Sequence, residues 1–136
     1  MRFKPSNLER LYWPCEGIKK RDVLSYYTTV GPLMLAYIRN RPLSLHRFPA
    51  GITEDSFFQK QVPDHTPDWV RREPVGADGS SYFVGEDVEG LLWLANQGAL
   101  EIHSWLSCWD RENEPDLAVI DIDSGPEVGT DRVIQV

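Results

Sequence analysis

The chain has 136 residues, of which 41% are hydrophobic, so it can bury one core and is expected to form one domain. Its formal net charge of −7 excludes broad, nonspecific binding of polyanions, and any nucleic-acid contact must depend on a few placed cations. No apolar stretch approaches the roughly 18 residues that span a bilayer. Cys15 and Cys108 lack the spacing of a zinc site or a disulfide framework. These features indicate a chain that is neither exported nor in a membrane, located in a reducing cytoplasm.

The first half of the chain predicts two helices followed by two strands. Residues 7–13 carry apolar side chains at helical spacing, and Pro14 ends this short segment. A longer apolar stripe over 19–38 predicts the main helix, with a break or kink at its Gly-Pro pair. Alternation over 43–48 predicts a strand, and a second short strand covers 57–60.

The second half predicts further strands around one helix. Prolines and glycines make 62–79 mostly irregular, with a short strand near 69–71. A strand over 81–84 precedes a helix that starts near Asp87 and ends near Gly98, and a strand-like return follows. This order of elements predicts an α/β (α+β) fold, in which helices flank a mixed, largely antiparallel sheet.

Two aspartates near the end of the chain form the sharpest chemical signal. The apolar run 117–120 predicts a buried strand that leads into Asp121-Ile-Asp123. Because side chains alternate along a strand, the two carboxylates share one face, roughly 7 Å apart. Carboxylates this close favour a bound cation, and their oxygens suit Mg²⁺ or Mn²⁺. The same residues could instead cap a turn or lie in solvent at a strand end.

The last residues predict a helix that has barely begun, with Thr130 as its N-cap. A strand that carries metal ligands needs neighbours on both sides. We therefore expect residues 1–136 to be a single domain, apparently truncated at its C-terminus, that further chain or a partner completes. An apolar face left uncovered could also drive self-association.

Six blocks of sequence together resemble, in order, the polymerase/primase domain of bacterial DNA ligase D, of the archaeo-eukaryotic primase superfamily. The resemblance covers nearly the whole chain. The blocks are Asn7-Leu-Glu-Arg-Leu-Tyr-Trp-Pro14, Arg41-Pro-Leu-Ser-Leu-His-Arg-Phe-Pro49, Phe57-Phe-Gln-Lys60, Leu92-Trp-Leu-Ala-Asn96, Glu101-Ile-His103 and Asp121-Ile-Asp123.

This resemblance implies metal-dependent nucleotidyl transfer to DNA ends during nonhomologous end joining. Asp121 and Asp123 then correspond to the first two of three metal-binding carboxylates, which hold Mn²⁺ or Mg²⁺. The third carboxylate of the family lies beyond Val136. We therefore expect weak or absent polymerase activity from the chain alone. A Ku-like end-binding protein and a ligase domain are the protein partners that the resemblance implies.

The resemblance also implies a site for a nucleoside triphosphate. His103 corresponds to a histidine near the triphosphate, and Phe57 and Phe58 correspond to an aromatic pair that contacts the nucleotide and the template. His46 stands where the family typically has lysine, which puts a phosphate contact there in doubt. Arg47 could contact nucleotide or pair with a carboxylate such as Glu101. The alternatives are a structural role for His103 and a core position for one phenylalanine.

Arg10 and Lys20 fall where the family binds the 5′-phosphate of a DNA end. Two cations that converge on one phosphate would reconcile an acidic chain with DNA recognition, although isolated surface cations usually bind nothing.

Three function classes follow from these patterns. The first is a nucleotidyltransferase related to end-joining polymerases. The second is a noncatalytic DNA-end-binding or remnant module. The third is a metal-dependent phosphoesterase built on the aspartate pair, for which the sequence supplies no further ligands at recognisable spacing.

Overall fold

The computed structural model describes residues 1–121. The elements in chain order are β1 (Leu11–Trp13), β2 (Ile18–Lys19), α1 (Lys20–Ile38), β3 (Pro42–Arg47), β4 (Phe57–Gln59), β5 (Arg72–Val75), β6 (Ser80–Val84), α2 (Val88–Asn96), β7 (Ala99–Ser104) and a 3₁₀ turn (Trp109–Arg111). Within this part of the chain, neither helix has the length and apolarity needed to cross a bilayer.

Strand β3 lies at the centre of the main sheet, and every strand pairing in that sheet is antiparallel. β7 runs along one side of β3. β4 and β6 share the other side, since β4 pairs with the second half of β3 and β6 with the first half. β5 extends the sheet beyond β6. The predicted α+β class, with a largely antiparallel sheet flanked by helices, is confirmed.

The core lies between the sheet and the two helices. Leu43 and Leu45 of β3 are almost fully buried and pack with Leu91 and Leu94 of α2 and with Phe83 of β6. Since side chains alternate along β3, the residues between these leucines point to the opposite face of the sheet. The helices therefore cover one face of the sheet, and the other face carries the remaining side chains of β3.

Helix α2 is fixed at both ends by local chemistry. Asp87 is its N-cap and accepts a hydrogen bond of 2.7 Å from the Gly90 amide. Gly98 follows the helix with φ of +87°, and a Cβ atom there would lie 2.9 Å from the Pro49 Cα. This position requires glycine for both its backbone conformation and the close approach of the 48–49 segment.

Three predicted elements differ in the structure. The helix predicted over 7–13 is wrong, because Asn7 has a positive φ of 54° and the chain continues into β1, which buries Tyr12 and pairs with β2. Helix α1 continues without a break through Pro32, because residues on both sides of it, Leu24 before and Leu35 after, pack in the core with α2. The strand predicted near 69–71 begins at Arg72 instead and contains Pro74, whose missing N–H is tolerated because β5 is an edge strand.

Candidate functional site

The open face of the sheet brings together chemistry-bearing side chains from three neighbouring strands. In the strand register, His46 of β3 lies opposite Phe58 of β4 on one side and opposite Glu101 of β7 on the other. His103 lies two residues beyond Glu101 and therefore shares its face. We call His46, Phe58, Glu101 and His103 the open-face cluster.

Aromatic rings account for much of the contact within this cluster. The rings of His46 and Phe58 stack with centroids 4.2 Å apart and planes at 14°. Phe48 packs on His46 with centroids 4.3 Å apart, and His103 lies 6.0 Å from the Phe58 ring. Phe58 nevertheless remains 63% exposed. An exposed ring whose orientation is fixed by stacking on His46 offers a surface on which a planar base can stack.

One carboxylate connects the two histidines. Glu101 Oε2 lies 3.1 Å from His46 Nδ1 and 3.3 Å from His103 Nε2. The hydrogen bond from His46 lowers the pKa of Glu101, burial opposes this effect, and His103 adds to the lowering. Glu101 is therefore held as a carboxylate that orients both imidazole rings.

Arg47 and Phe57 lie apart from the open-face cluster. The Arg47 guanidinium donates from Nε and Nη2 to the Gln97 carbonyl, at 2.9 and 2.7 Å, and from Nη1 to Gln59 Oε1. It also covers the Phe57 ring at 5.1 Å. Burial lowers the pKa of Arg47. These contacts place its charge at the C-terminal end of α2, where it is favoured, and it does not pair with Glu101.

Beside Phe58, an open groove of about 550 Å³ runs over the sheet towards β6. Its lining includes Gln59, Lys60, Gln61 and Tyr82 as well as Phe58 itself. Lys60 is exposed at this groove, as expected for either a phosphate contact or a solvated strand end.

The N-terminus of α1 forms a second candidate site, at Arg10 and Lys20. The Lys20 amide donates to the Arg10 carbonyl at 2.8 Å, which joins the two residues, and Arg10 Nη1 donates to the Pro49 carbonyl at 2.7 Å. Lys20 is only 4% exposed. Burial, with a smaller effect from Arg10, lowers the pKa of Lys20 to about 8.

No carboxylate among the described residues compensates the charge of Lys20. Glu9, which is near in sequence, instead pairs with Lys19 at 2.6 Å and with Arg21 at 2.7 Å. The first residue of a helix also carries the positive end of the helix dipole. A nearly buried lysine beside an arginine and a helix N-terminus is a setting that an anion would stabilise.

The predicted metal-binding segment differs from expectation in its described part. Residues 117–121 form no strand, and Val119 and Ile120 are 73% and 86% exposed. The prediction of a buried strand is therefore wrong for these residues. An apolar run becomes a strand only where a partner edge pairs with its backbone, and no such pairing occurs here. Asp121 is exposed, and Asp123 lies outside the described residues.

The segment is fixed just before Asp121 by contacts at Asp116. The amides of Asp116 and Leu117 both donate to the Leu106 carbonyl, at 3.1 and 3.2 Å. Arg41, which is nearly buried, lies 2.7 Å from Asp116 through Nη1, and its Nε donates to the Tyr37 carbonyl. The adjacent Arg41 guanidinium lowers the pKa of Asp116. The ion pair and the two amide hydrogen bonds together hold the chain at residues 116–117, just before Asp121.

An apolar groove of about 550 Å³ lies between α1 and the start of β7, with Trp13, Tyr26, Phe48 and Leu100 in its lining. The described residues do not show what covers this groove. Self-association through an uncovered apolar face thus stays a prediction.

Sequence reasoning missed the role of Glu101 as the common partner of both histidines. It also missed the contacts that Phe48 and the Ser56 hydroxyl make with the His46 ring. The i, i+2 spacing of Glu101 and His103 on a predicted strand was a usable signal, because it places them on one face. The register that brings His46 opposite Glu101 was not readable from the sequence.

An α+β domain with helices on one sheet face and exposed aromatic and imidazole side chains on the other is suited to binding nucleotides or nucleic acid. The family model of the LigD primase-polymerase domain matches residues 19–136. The chain belongs to this family.

LigD proteins of two bacteria are similar in sequence to this chain, in agreement with the family assignment. The bifunctional non-homologous end joining protein LigD of Bacillus subtilis is 35% identical over 118 residues, which cover 87% of this chain and 19% of that protein. The multifunctional LigD of Mycolicibacterium smegmatis is 28% identical over 139 residues, 99% of this chain and 18% of that protein. The chain therefore spans less than a fifth of either relative.

A solved structure shows the same fold. The polymerase domain of Mycobacterium tuberculosis Ligase D, in complex with DNA, superposes with a TM-score of 0.74 at 33% identity. The match covers 77% of this chain and 37% of that one.

The Arg41–Asp116 ion pair predicts a pH-dependent stability. Because the pKa of Asp116 is lowered in the folded chain, its contribution is complete above the unfolded value, about 4, and is lost as the pH falls through the lowered pKa. We expect Asp116→Asn to lower the urea midpoint at neutral pH, and this difference from the parent to shrink in acid. Asp55→Asn, at an exposed loop position, is the control. An equal midpoint for Asp116→Asn and the parent at neutral pH would contradict the assigned role of the pair.

Proposed function

We propose that this chain supplies the part of an end-joining primase-polymerase domain that binds a DNA end and an incoming nucleoside triphosphate. The reaction would be metal-dependent nucleotidyl transfer to the DNA end. The observation that carries the proposal is the open-face cluster, in which Phe58 and His103 flank β3 on the uncovered side of the sheet, in a chain of the LigD primase-polymerase family. The DNA in the M. tuberculosis structure supports the assignment of DNA as a partner.

On the open face, we assign a template base to Phe58 and the triphosphate of the incoming nucleotide to His103. Phe58 presents an exposed ring on the face that His103 shares, whereas Phe57 lies under the Arg47 guanidinium. Stacking on one ring tolerates any base, as templated synthesis requires. The His103 side chain is 55% exposed and can turn towards a phosphate oxygen.

At the N-terminus of α1, we assign the 5′-phosphate of the DNA end to Arg10 and Lys20. A terminal phosphate would stabilise the charge of the nearly buried Lys20, which has no carboxylate partner among the described residues. This site concentrates recognition in two cations, so the net charge of −7 is not an obstacle to binding a DNA end.

For the metal, we assign Asp121 and Asp123 as carboxylate donors to Mn²⁺ or Mg²⁺, which their oxygen chemistry suits. Within residues 1–121, no three His, Cys, Asp or Glu side chains come together as a ligand set. When bound, such ions would neutralise triphosphate charge and activate the primer hydroxyl. The chain's own contribution is to bind and orient the two substrates beside them.

A noncatalytic DNA-end-binding module is the second candidate. The described structure favours it in one respect, because the Arg10–Lys20 site is formed by ordered elements, whereas Asp121 lies outside the sheet. The phosphoesterase hypothesis gains no support from the described residues. Contacts with a Ku-like protein or a ligase domain are proposals that rest on the family alone.

Stacking on Phe58 predicts a specific loss of DNA-end binding. Loss of one base–aromatic stack is worth about 1–3 kcal/mol, so Phe58→Ala should weaken binding of a DNA end with a single-stranded template overhang by roughly 5- to 150-fold. Phe57→Ala is the matched control on the same strand and should change the affinity by less than about threefold. Fluorescence anisotropy measures both. Equal losses for the two variants would remove Phe58 from the site.

The Arg10–Lys20 site predicts a preference for 5′-phosphorylated ends that depends on pH. Lys20→Met should reduce this preference by about tenfold, whereas Lys19→Met, an equal change of charge at the preceding residue, should leave it intact. Since the pKa of Lys20 is lowered to about 8, its charge is present at neutral pH and lost as the pH rises above that value. The preference should therefore fall between neutral pH and about 9. A preference that persists unchanged in Lys20→Met would refute the assignment.

The aspartate pair predicts metal-dependent nucleotide binding that is separable from DNA binding. We expect calorimetry to detect Mn²⁺-dependent binding of ATP by the parent, and the double variant Asp121→Ala/Asp123→Ala to lose it. Binding of a 5′-phosphorylated DNA end should persist in that variant. Retention of Mn²⁺-dependent ATP binding would contradict the metal assignment, and DNA binding without any ATP binding by the parent would favour the end-binding module.

A further inference from the structure

The ring of His46 is enclosed by its neighbours on the otherwise open face of the sheet. Phe58 stacks on the imidazole at 4.2 Å, and Phe48 packs against it at 4.3 Å. The His46 side chain is consequently only 18% exposed, whereas that of His103, on the neighbouring strand, is 55% exposed. Of these two histidines, His103 is thus the one accessible to a ligand.

Both ring nitrogens of His46 have partners. Nδ1 lies 3.1 Å from Glu101 Oε2, and Nε2 lies 3.0 Å from the Ser56 hydroxyl oxygen. A carboxylate can only accept, so Nδ1 must donate. In the neutral ring, Nε2 then accepts the hydroxyl proton of Ser56. This arrangement leaves His46 no N–H group with which to bind a phosphate.

His46 is connected to both residues that we propose contact a ligand, directly to Phe58 and through Glu101 to His103. The His46 ring stacks on one face of the Phe58 ring and so fixes the plane on which a base would stack. Its Nδ1–H fixes Glu101, whose same Oε2 atom accepts from His103 Nε2 at 3.3 Å. Removal of His46 would therefore release Phe58 and His103 together.

We infer that His46 is a positioning residue, which holds Phe58 for base stacking and, through Glu101, holds His103 for the triphosphate, and that it does not itself bind phosphate. This inference rests on the proposed function of the open face. In this role, the His46 imidazole links the contact with the template base, at Phe58, to the contact with the triphosphate, at His103.

Substitutions that separate the ring from its hydrogen bonds test this role. His46→Phe keeps a ring beneath Phe58 but loses the bond to Glu101, whereas His46→Gln keeps polar atoms and loses the ring. With 2-aminopurine as the template base of a 5′-phosphorylated DNA end, we expect quenching to persist in His46→Phe and to fall in His46→Gln. Mn²⁺-dependent ATP affinity should fall roughly three- to tenfold in His46→Phe, because the lost bond to Glu101 acts on the triphosphate only through His103. The same changes at His65, an exposed histidine elsewhere in the chain, are the controls.

His46→Lys distinguishes positioning from phosphate binding. A position that contacts phosphate should bind ATP more tightly with lysine, since lysine adds a permanent charge. A positioning residue predicts weaker ATP binding and weaker quenching, because both the ring and the bond to Glu101 are lost. Tighter ATP binding by His46→Lys would overturn the inference.

The tautomer of His46 gives a readout that needs no ligand. Nitrogen-15 NMR of the imidazole in the free chain should show the proton of the neutral ring on Nδ1. A neutral ring that carries its proton on Nε2 would overturn the inference. If the parent neither binds ATP nor quenches 2-aminopurine, the proposed function fails, and the tautomer still decides whether His46 is held as described.

Discussion

The position of β3 at the centre of the sheet is the constraint on which the rest of the structure depends. One set of its side chains, Leu43 and Leu45, packs into the core against α2. The alternate set, which includes His46, faces the other way and meets Phe58 and Glu101 on the two neighbouring strands. Because the period of a strand is two residues, a shift of register by one would exchange core and site. The burial of the leucines therefore also fixes the open-face cluster.

The two candidate sites explain how a chain with a net charge of −7 could bind DNA, as we propose. Neither depends on a broad positive surface, which the net charge of −7 does not provide. At the N-terminus of α1, burial makes the charge of Lys20 costly unless an anion is present, so the proposed affinity for a DNA end would be concentrated at one point. On the open face, aromatic stacking requires no charge. A free Glu101 carboxylate would repel phosphate, but here it accepts hydrogen bonds from the two histidines.

The sequence was sufficient for the fold class and for elements with strong periodicity or clear caps. Helix α1, β3, β4 and the α2–β7 unit were predicted because their patterns are long or their ends are marked, as at Asp87 and Gly98. Residues 7–13 were mispredicted because three apolar residues suit a helix or a strand, and the pairing of β1 with β2 decided the outcome. The run 117–120 has strand character, but strand formation needs a paired edge, which composition cannot supply. For the site, the sequence indicated the residue types, whereas the register and the shared carboxylate were properties of the folded sheet.

The most direct test of the account is chemical-shift mapping on the nitrogen-15-labelled chain, titrated with a 5′-phosphorylated DNA end that carries a short template overhang. We expect the largest changes at two places, around His46, Phe58 and His103 on the open face and around Arg10 and Lys20 at the start of α1. Removal of the 5′-phosphate should abolish the changes at the second place and leave the first. Changes confined to the helical face of the sheet, or identical maps with and without the phosphate, would contradict the account.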